Sequence, residues 1–415
     1  MKYFFPDSQD QIDPNFDFIT EQPAEFRVRQ RDDRYAHEVL RRPAYDGILV
    51  SKPIIDGISG TSGKYTNAQR QRLYRIGARR FYRLDQPGRL IASMGDCGAF
   101  TYVREETPPF TVEEVADFYD GCGFDFGISV DHVVLGYDFT ETNDDISAWR
   151  RRQQLTIDLA RDFLQHHATS HRKFNPLGVA QGWSPKSYAR AVVALQRMGY
   201  RYIAIGGLVP LKTAQIVACL AAVNNVRRTD TRLHLLGITR AEQMNVFRGF
   251  GVVSFDSTSP FRQAFKDDKD NYYVGDRAYA AIRVPQVDGN TRLKLLVQAG
   301  RVDQAKARLA ERRCLDRLAK FDQGGMRLKD VLDALASYAE ILEPDHDYSA
   351  QERELLESAP WKSCDCGLCE AVGIQICIFR GTERNKRRGF HNLHVFRQRL
   401  SEKNVRRSGL TKASK

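Results

Sequence analysis

The 415-residue sequence lacks any apolar run long enough to cross a membrane. A membrane-spanning helix needs about 20 consecutive apolar residues, and no stretch of the sequence approaches that length. The first residues, MKYFFPDSQDQIDP, turn acidic before the apolar segment of a signal peptide is complete. These absences predict a cytoplasmic protein, because neither membrane insertion nor secretion is indicated.

Cysteine is also scarce, and its eight residues are too unevenly spaced for a disulfide framework. Five stand alone, whereas Cys364, Cys366 and Cys369 form one tight cluster, with His391 and His394 further along the chain. Three thiolates and one imidazole are a usual shell for structural zinc. The cluster therefore predicts one Zn2+ that holds structure and performs no chemistry. A group of free cysteines in a loop is the alternative.

The net charge of +11 is concentrated at one end of the sequence. From Arg380 to Lys415 there are twelve Lys or Arg residues against two acids, Glu383 and Glu402. Such a basic run attracts phosphates, and the release of counterions drives the binding. The run favours a nucleic-acid partner over the alternative, a solvated tail that aids solubility.

Between residues 45 and 290, short apolar runs alternate with amphipathic helical patterns. This alternation is typical of βα units around a parallel sheet. Seven strand candidates can be placed, from YDGILVSKPI to GVVSFDS. They predict an α/β fold, a (β/α)8 TIM-type barrel whose eighth strand the sequence does not locate. A doubly wound open sheet is the alternative.

The composition of the remaining sequence predicts further parts outside the barrel. Stretches such as LKDVLDALASYAEIL have the 3.6-residue period of amphipathic helices. The expected architecture is therefore a barrel with a helical addition and a C-terminal zinc-binding subdomain. Its predicted parts are an N-terminal extension (1–44), the catalytic barrel (45–290), a helical segment (291–360), the zinc-binding subdomain (361–400) and a basic tail (401–415).

Acids, an amide and glycines follow the ends of the predicted strands. They are Asp96, Asp138, Gln181, Gly206, Gly207, Gly237 and Asp256. In a (β/α)8 barrel the carboxyl ends of the strands meet at one rim, where barrel enzymes have their active sites. Asp96 and Asp256 are candidates for a carboxylate pair that performs a retaining displacement at a sugar carbon. Taken singly, each is better explained as a helix cap.

In this order, the motifs resemble those of the tRNA-guanine transglycosylase family. The similar segments are SMGDCGAF, VAQGW, IAIGGLV, LLGI and FDSTSPFRQA, and CDCGLC followed by FHNL resembles the family's zinc site. The resemblance runs from about Ile91 to Leu400, and it favours His391 over His394 as the fourth zinc ligand.

The resemblance implies a role for each matched residue. Asp256 would be the nucleophile, bonding covalently to the sugar C1′ as guanine leaves, and Asp96 would be the general acid and base. Asp138 would hydrogen-bond the edge of the base. The pocket would be completed by Gln181, Gly206, Gly207, Leu208 and Gly237. The target nucleotide must leave its stack to reach such a pocket.

Departures from the tRNA enzymes fall where the base and the anticodon loop would be read. Cys97 and Ala99 replace a serine and a glycine, and Trp183 replaces a glycine. With these changes the sequence resembles the family's DNA branch more than its tRNA enzymes. That branch places 7-cyano-7-deazaguanine into DNA within a host-defence modification system.

The resemblance thus implies replacement of guanine in DNA by a 7-deazaguanine. Exchange on tRNA is the first alternative, and a non-catalytic nucleic-acid-binding subunit is the second. The sequence leaves open whether the chain acts alone, as a homodimer or with a partner ATPase of the same modification system.

Overall fold

The computed structural model describes residues 1–58, 61–86, 89–142, 144–266 and 269–410, with backbone only over 402–410. The chain forms two compact units. The first consists of Met1–Gln9 and Tyr45–Thr258, and the second of Asp10–Ala44 and Ser259–Lys415. Almost all of the basic tail predicted over 401–415 lies outside the described side chains.

The first unit is a closed barrel of parallel strands. The strands are β1 Lys2–Pro6, β2 Gly47–Ser51, β3 Ala92–Asp96, β4 Phe126–Ile128, β5 Asn175–Ala180, β6 Tyr202–Ile205, β7 Arg232–Leu235 and β8 Val252–Asp256. Each strand pairs with the next in the chain, and β8 closes on β1. This closure confirms the predicted (β/α)8 barrel. A short antiparallel ribbon, Asp85–Gln86 with Arg89–Leu90, precedes β3.

The strand that the sequence did not locate is β1, in the segment predicted to be an extension. That prediction is wrong for Met1–Gln9, which belong to the barrel. The run KYFFP is too short, and its surroundings are too polar, for its period to be recognised. Tyr3 and Phe4 are fully buried, because β1 pairs with a strand on each side. The barrel unit also ends at Thr258 and not at 290.

The helices follow the expected alternation with the strands. In chain order they are α1 Ala36–Val39, α2 Lys52–Asp56, α3 Asn67–Phe81, α4 Val112–Cys122, α5 Ile146–Thr169, α6 Pro185–Met198, α7 Thr213–Val226, α8 Met244–Gly249, α9 Ser259–Gln263, α10 Thr291–Gln298, α11 Gln304–Asp322, α12 Leu328–Leu342, α13 Ser349–Ser358, α14 Leu368–Val372 and α15 Gly381–Leu410. Helices α2–α8 belong to the barrel unit and the others to the second unit. In the part of the chain that the structure describes, none of them is long and apolar enough to span a membrane.

The centre of the barrel is filled by apolar side chains. They are Phe4, Leu49, Met94, Ile128, Leu177, Val179, Tyr202 and Ala204. Side chains alternate between the inside and the outside of a barrel strand, so one residue in two contributes to this core. A filled centre leaves the carboxyl ends of the strands as the place for a pocket.

The second unit joins the segment Asp10–Ala44 to the helices from α9 onward. Two small sheets lie within its described residues. In one, β9 Tyr272–Val274 is antiparallel to β10 Arg277–Tyr279, and in the other, β11 Ile282–Arg283 is parallel to β12 Ile378–Phe379. The long helix α15 packs on α9 and β9 and forms the centre of the unit.

The start of the basic run is buried in this second unit. The buried arginines, each at most 5% exposed, are Arg380, Arg384, Arg387 and Arg388. Glu21 forms ion pairs with Arg380 at 2.6 Å and Arg384 at 2.5 Å. The buried side chains of these four arginines therefore do not contribute to the attraction for phosphates that the sequence predicted for the basic run. A count of charges cannot reveal that Arg380 pairs with an acid 359 positions away in the chain.

Candidate active site

Asp96 is the last residue of β3, at the carboxyl end of the barrel. Its Oδ2 accepts hydrogen bonds from Ser51 Oγ at 2.7 Å and from the backbone N–H of Gly98 at 3.0 Å. Gly98 has a φ of 71°, and a Cβ there would lie 2.6 Å from the ring of Pro53, so only glycine fits this turn. Oδ1 has no hydrogen-bond partner among the described residues, which leaves this oxygen available to a substrate.

The carboxyl group of Asp96 is suited to exchange a proton near neutral pH. Burial raises its pKa to about 7. The hydrogen bond from Ser51 opposes the shift, and the negative charges of Asp131 and Asp256 reinforce it. A carboxyl group with such a pKa can both donate and accept a proton, as acid–base catalysis requires.

Asp256 is the last residue of β8 and is 7% exposed. Its Oδ1 accepts a hydrogen bond from the backbone N–H of Gly237 at 3.1 Å and lies 3.2 Å from Nε2 of His234. Within the described ranges, Oδ2 has no hydrogen-bond partner. Strands β1 and β2 separate β8 from β3 in the barrel wall, so Asp256 and Asp96 end different strands at one mouth, and Asp256 is close enough for its charge to raise the pKa of Asp96. The structure thus brings the two predicted carboxylates together.

Asp131, which was not predicted, supplies a third carboxylate to this site and is only 2% exposed. Its Oδ1 accepts from Cys97 Sγ at 3.1 Å, and its Oδ2 accepts from Gln181 Nε2 at 2.6 Å. Burial raises the pKa of this carboxyl group to about 6, whereas the two hydrogen bonds oppose the shift. The sequence contained a signal, an acid shortly after the end of β4, but the resemblance matched Asp138 in the same loop.

Asp138 itself lies in the loop that follows Asp131 and is half-buried. Its carboxylate accepts hydrogen bonds from the backbone N–H groups of Thr140 at 2.9 Å and Thr142 at 2.6 Å. These bonds close a local turn of the type that aspartates commonly make. Its predicted contact with a base stays a prediction.

Gln181 directly follows β5 and is only 1% exposed. Its Nε2 donates to Asp131, and its Oε1 accepts from the backbone N–H of Val134 at 3.3 Å. The side chain of Gln153 donates to the backbone oxygen of Gln181 at 2.6 Å. The Gln181 amide is therefore engaged with the protein, and it fixes the orientation of Asp131.

The predicted glycine segment after β6 lies beside Gln181 and is buried. Gly207 has a φ of 73°, and a Cβ there would meet the backbone oxygen of Val134 at 2.4 Å. The backbone oxygen of Gly206 accepts a hydrogen bond from the Tyr188 hydroxyl at 2.9 Å. Leu208 is fully buried. This tight turn keeps the backbone after β6 against the residues that follow β4 and β5.

Four metal-ligand side chains converge in the second unit, at the residues that the sequence predicted. They are Cys364, Cys366, Cys369 and His391, whose ligand atoms all lie within 4.8 Å of one another. Nδ1 of His391 faces the thiols, and its Nε2 lies 2.6 Å from the backbone oxygen of Tyr273. Such an outer hydrogen bond fixes the ring of a ligating histidine. These four side chains can hold a metal ion.

His394, the other candidate for the fourth ligand, has a different partner. Its Nε2 lies 2.9 Å from Oδ1 of Asp365. Because the side chain is turned to this carboxylate, it takes no part in the group of ligand atoms. The preference for His391 agrees with this geometry.

A closed parallel barrel with buried carboxylates at the carboxyl ends of its strands defines the class of (β/α)8 barrel enzymes. No protein-family model matches the sequence. A DNA-guanine transglycosylase from Salmonella montevideo is 46% identical over 407 residues, which cover 96% of this chain and 96% of that protein. The chain therefore belongs to the tRNA-guanine transglycosylase family, in its DNA-modifying branch. The predicted family is confirmed.

Proposed function

We propose that this chain replaces guanine in DNA with a 7-deazaguanine base, through a covalent intermediate on Asp256. The name of the similar Salmonella protein supports DNA as the polymer and guanine as the departing base. The observation that carries the chemistry is the pair of carboxylates at one mouth of the barrel, each with one oxygen free of protein partners among the described residues. These are Oδ1 of Asp96 and Oδ2 of Asp256.

In the first displacement, Oδ2 of Asp256 attacks C1′ of the target nucleotide. The glycosidic bond breaks, and its electron pair leaves with guanine. Asp96, whose pKa of about 7 keeps it largely protonated in mildly acidic solution, gives its proton to the departing base. The product of this step is an ester between C1′ and Asp256, with Asp96 as a carboxylate.

In the second displacement, the incoming base gives a proton to the Asp96 carboxylate and attacks C1′. The C1′–Oδ2 bond breaks, and Asp256 leaves with the electron pair. Two inversions at C1′ retain the configuration of the sugar. The proton count of the protein returns to its starting value, so the site is ready for another turnover.

For recognition of the base, we propose Asp131 in addition to the residues predicted from the sequence. Cys97 and Gln181 each donate one hydrogen bond to it, and a carboxylate oxygen can accept more than one. Asp131 can thus meet the N–H groups on the edge of a guanine or a 7-deazaguanine. The target nucleotide must be turned out of the duplex to reach this buried site.

For the cluster in the second unit, we propose zinc. Three thiolates and one imidazole match the tetrahedral coordination that Zn2+ prefers and leave no position open for a substrate. The bound ion would join the loop before α14 to α15 and would contribute structure only. Three reduced thiols also accord with the predicted cytoplasmic location. The homodimer, the partner ATPase and the role in host defence stay predictions.

The test is a base-exchange assay on two polymers. Purified protein is incubated with 7-cyano-7-deazaguanine and with duplex DNA or an anticodon stem-loop, each carrying radiolabelled guanine. We expect release of label from the duplex alone, and none with Asp256→Asn. Release from the stem-loop alone would show that the substrate is tRNA and not DNA. No release from either polymer by a folded protein would contradict the proposal.

A further inference from the structure

A line of polar side chains runs through the apolar interior of the barrel and ends at Asp256. The hydroxyl of Tyr202 contacts Oγ of Ser254. Oγ of Ser254 lies 2.6 Å from Nδ1 of His234, and Nε2 of His234 lies 3.2 Å from Oδ1 of Asp256. Ser254 and His234 are fully buried. Polar groups in an apolar core are costly unless each is hydrogen-bonded, and here each is bonded to the next.

A shift in strand register brings this line together. The pairing of β7 with β8 is irregular between Val252 and Ser254, and beyond the irregularity Ser254 pairs directly with His234. Register shifts of this kind, of which β-bulges are one form, redirect side chains and are frequent beside active sites. The shift places the serine hydroxyl against the imidazole, two residues before Asp256 on the same strand.

The direction of the hydrogen bonds follows from the two ends of the line. A carboxylate only accepts, so Nε2 of His234 carries the proton that faces Asp256. Among the described residues, Ser254 is the only partner of the Tyr202 hydroxyl, to which burial gives a raised pKa. Tyr202 therefore donates to Ser254, and Ser254 donates to Nδ1. The order of donors fixes the tautomer of the imidazole.

We propose that Tyr202, Ser254 and His234 form a hydrogen-bond relay that positions Asp256 and stabilises the charge that returns to it. The inference rests on the proposed role of Asp256 as the nucleophile. Because His234 and Gly237 both face Oδ1, Oδ2 is the oxygen that attacks. No proton moves along the relay, and the bonds made and broken are those of the two displacements.

The relay acts most strongly in the second displacement. In the ester, Oδ1 of Asp256 is the carbonyl oxygen, and it gains negative charge as the C1′–Oδ2 bond breaks. A fixed N–H donor aimed at an oxygen that gains charge stabilises the transition state. His234 is therefore a positioning residue whose loss slows the discharge of the covalent intermediate more than its formation.

The test uses substitutions that remove or keep single donors. His234→Phe removes the donor to Oδ1, and His234→Gln offers an amide N–H in its place. Tyr202→Phe removes only the hydroxyl at the start of the relay. Tyr200→Phe is the matched control, because it removes another buried tyrosine hydroxyl, which bonds the backbone oxygen of Ala160 outside the relay.

The rates of formation and of discharge of the covalent intermediate on duplex DNA are measured in single turnovers, with melting temperature as the check of folding. We expect His234→Phe to slow discharge roughly a hundredfold and formation less. His234→Gln should recover most of this loss. Tyr202→Phe should slow discharge roughly threefold to tenfold, the equivalent of one hydrogen bond. Tyr200→Phe should leave both rates unchanged, as should the DNA concentration at half-saturation in every variant.

Unchanged discharge in both His234→Phe and Tyr202→Phe would overturn the relay, and so would a His234→Gln variant as slow as His234→Phe. If His234→Phe does not fold, the comparison of Tyr202→Phe with Tyr200→Phe decides, and equal rates in these two would overturn the relay. Failure of the proposed function is distinct, since Asp256→Asn would then still exchange bases. Loss of exchange in Asp256→Asn with full activity in the relay variants would reject the relay alone.

Discussion

The Ser51 hydroxyl donates a hydrogen bond of 2.7 Å to Oδ2 of Asp96. This bond stabilises the charged carboxylate and so lowers a pKa that burial raises. Because Gly98 bonds the same oxygen, a proton on Asp96 is expected on Oδ1, the oxygen without a partner in the described part of the chain. Ser51 thus influences both the pH at which Asp96 is an acid and the atom that carries the proton.

The pH dependence of the first displacement tests this relationship. Asp96 acts there as an acid, so formation of the intermediate should fall as the pH rises through about 7. Ser51→Ala removes an interaction that favours the charged form, so the fall should move to higher pH. Ser93→Ala is the control, since Ser93 bonds a different carboxylate, that of Asp125. A pH profile that Ser51→Ala leaves in place would contradict this account of Asp96.

Asp131 and Asp138 give opposite expectations for base recognition. Asp131→Asn replaces an acceptor in the site with an amide and should raise the concentration of base needed for half-maximal exchange at least tenfold, the equivalent of about 1.4 kcal/mol. Asp138→Asn should affect exchange less, because its carboxylate closes a local turn. Saturation curves with the incoming base measure both. A larger effect of Asp138→Asn than of Asp131→Asn would instead support the role in base recognition that the sequence predicted for Asp138.

The metal centre should be necessary for the second unit and dispensable for the barrel. Metal analysis is expected to find about one zinc per chain. Cys366→Ser should lose the metal and open the unit to proteolysis, whereas Cys314→Ser, at a buried cysteine outside the cluster, should retain it. Circular dichroism should show that most of the barrel helices remain. A fully folded, protease-resistant protein without metal would contradict the zinc assignment.

Glu21 should contribute strongly to stability because it forms ion pairs with two buried arginines, Arg380 and Arg384. Removing one partner of a buried ion pair typically costs about 3–5 kcal/mol, and Glu21→Ala leaves Arg384 without an acidic partner among the described side chains, whereas Arg380 keeps Glu311. Asp316→Ala breaks the exposed pair with Lys320, and the expected change is about 0.5 kcal/mol or less. Chemical denaturation measures the free energy of unfolding of the Glu21→Ala and Asp316→Ala variants. Equal, small effects would show that these arginines are accessible to solvent in solution.

The pair of aspartates, the glycine turn and the cysteine cluster could be predicted because each follows a recognisable local pattern. An acid after an apolar strand, as at Asp256, is visible in the sequence itself. In a barrel, every strand end reaches the same rim, so the topology brings distant motifs together without further information.

The remaining features depend on contacts that no local pattern records. β1 is buried by its two neighbouring strands, and five residues are too few to reveal a period. In the sequence, Ser254 and His234 resemble ordinary strand residues, and only the register shift between β7 and β8 places them opposite each other. The burial of Arg380 and Arg384 depends on Glu21, near the other end of the chain.

The covalent attachment of the sugar to Asp256 is tested by locating the bond. Protein and guanine-containing duplex DNA are mixed without an incoming base and denatured, and the adduct is digested for peptide mass spectrometry. We expect one modified peptide, with the sugar on Asp256, and no adduct with Asp256→Asn. An adduct on another residue, or exchange at the normal rate by Asp256→Asn, would exclude Asp256 as the nucleophile.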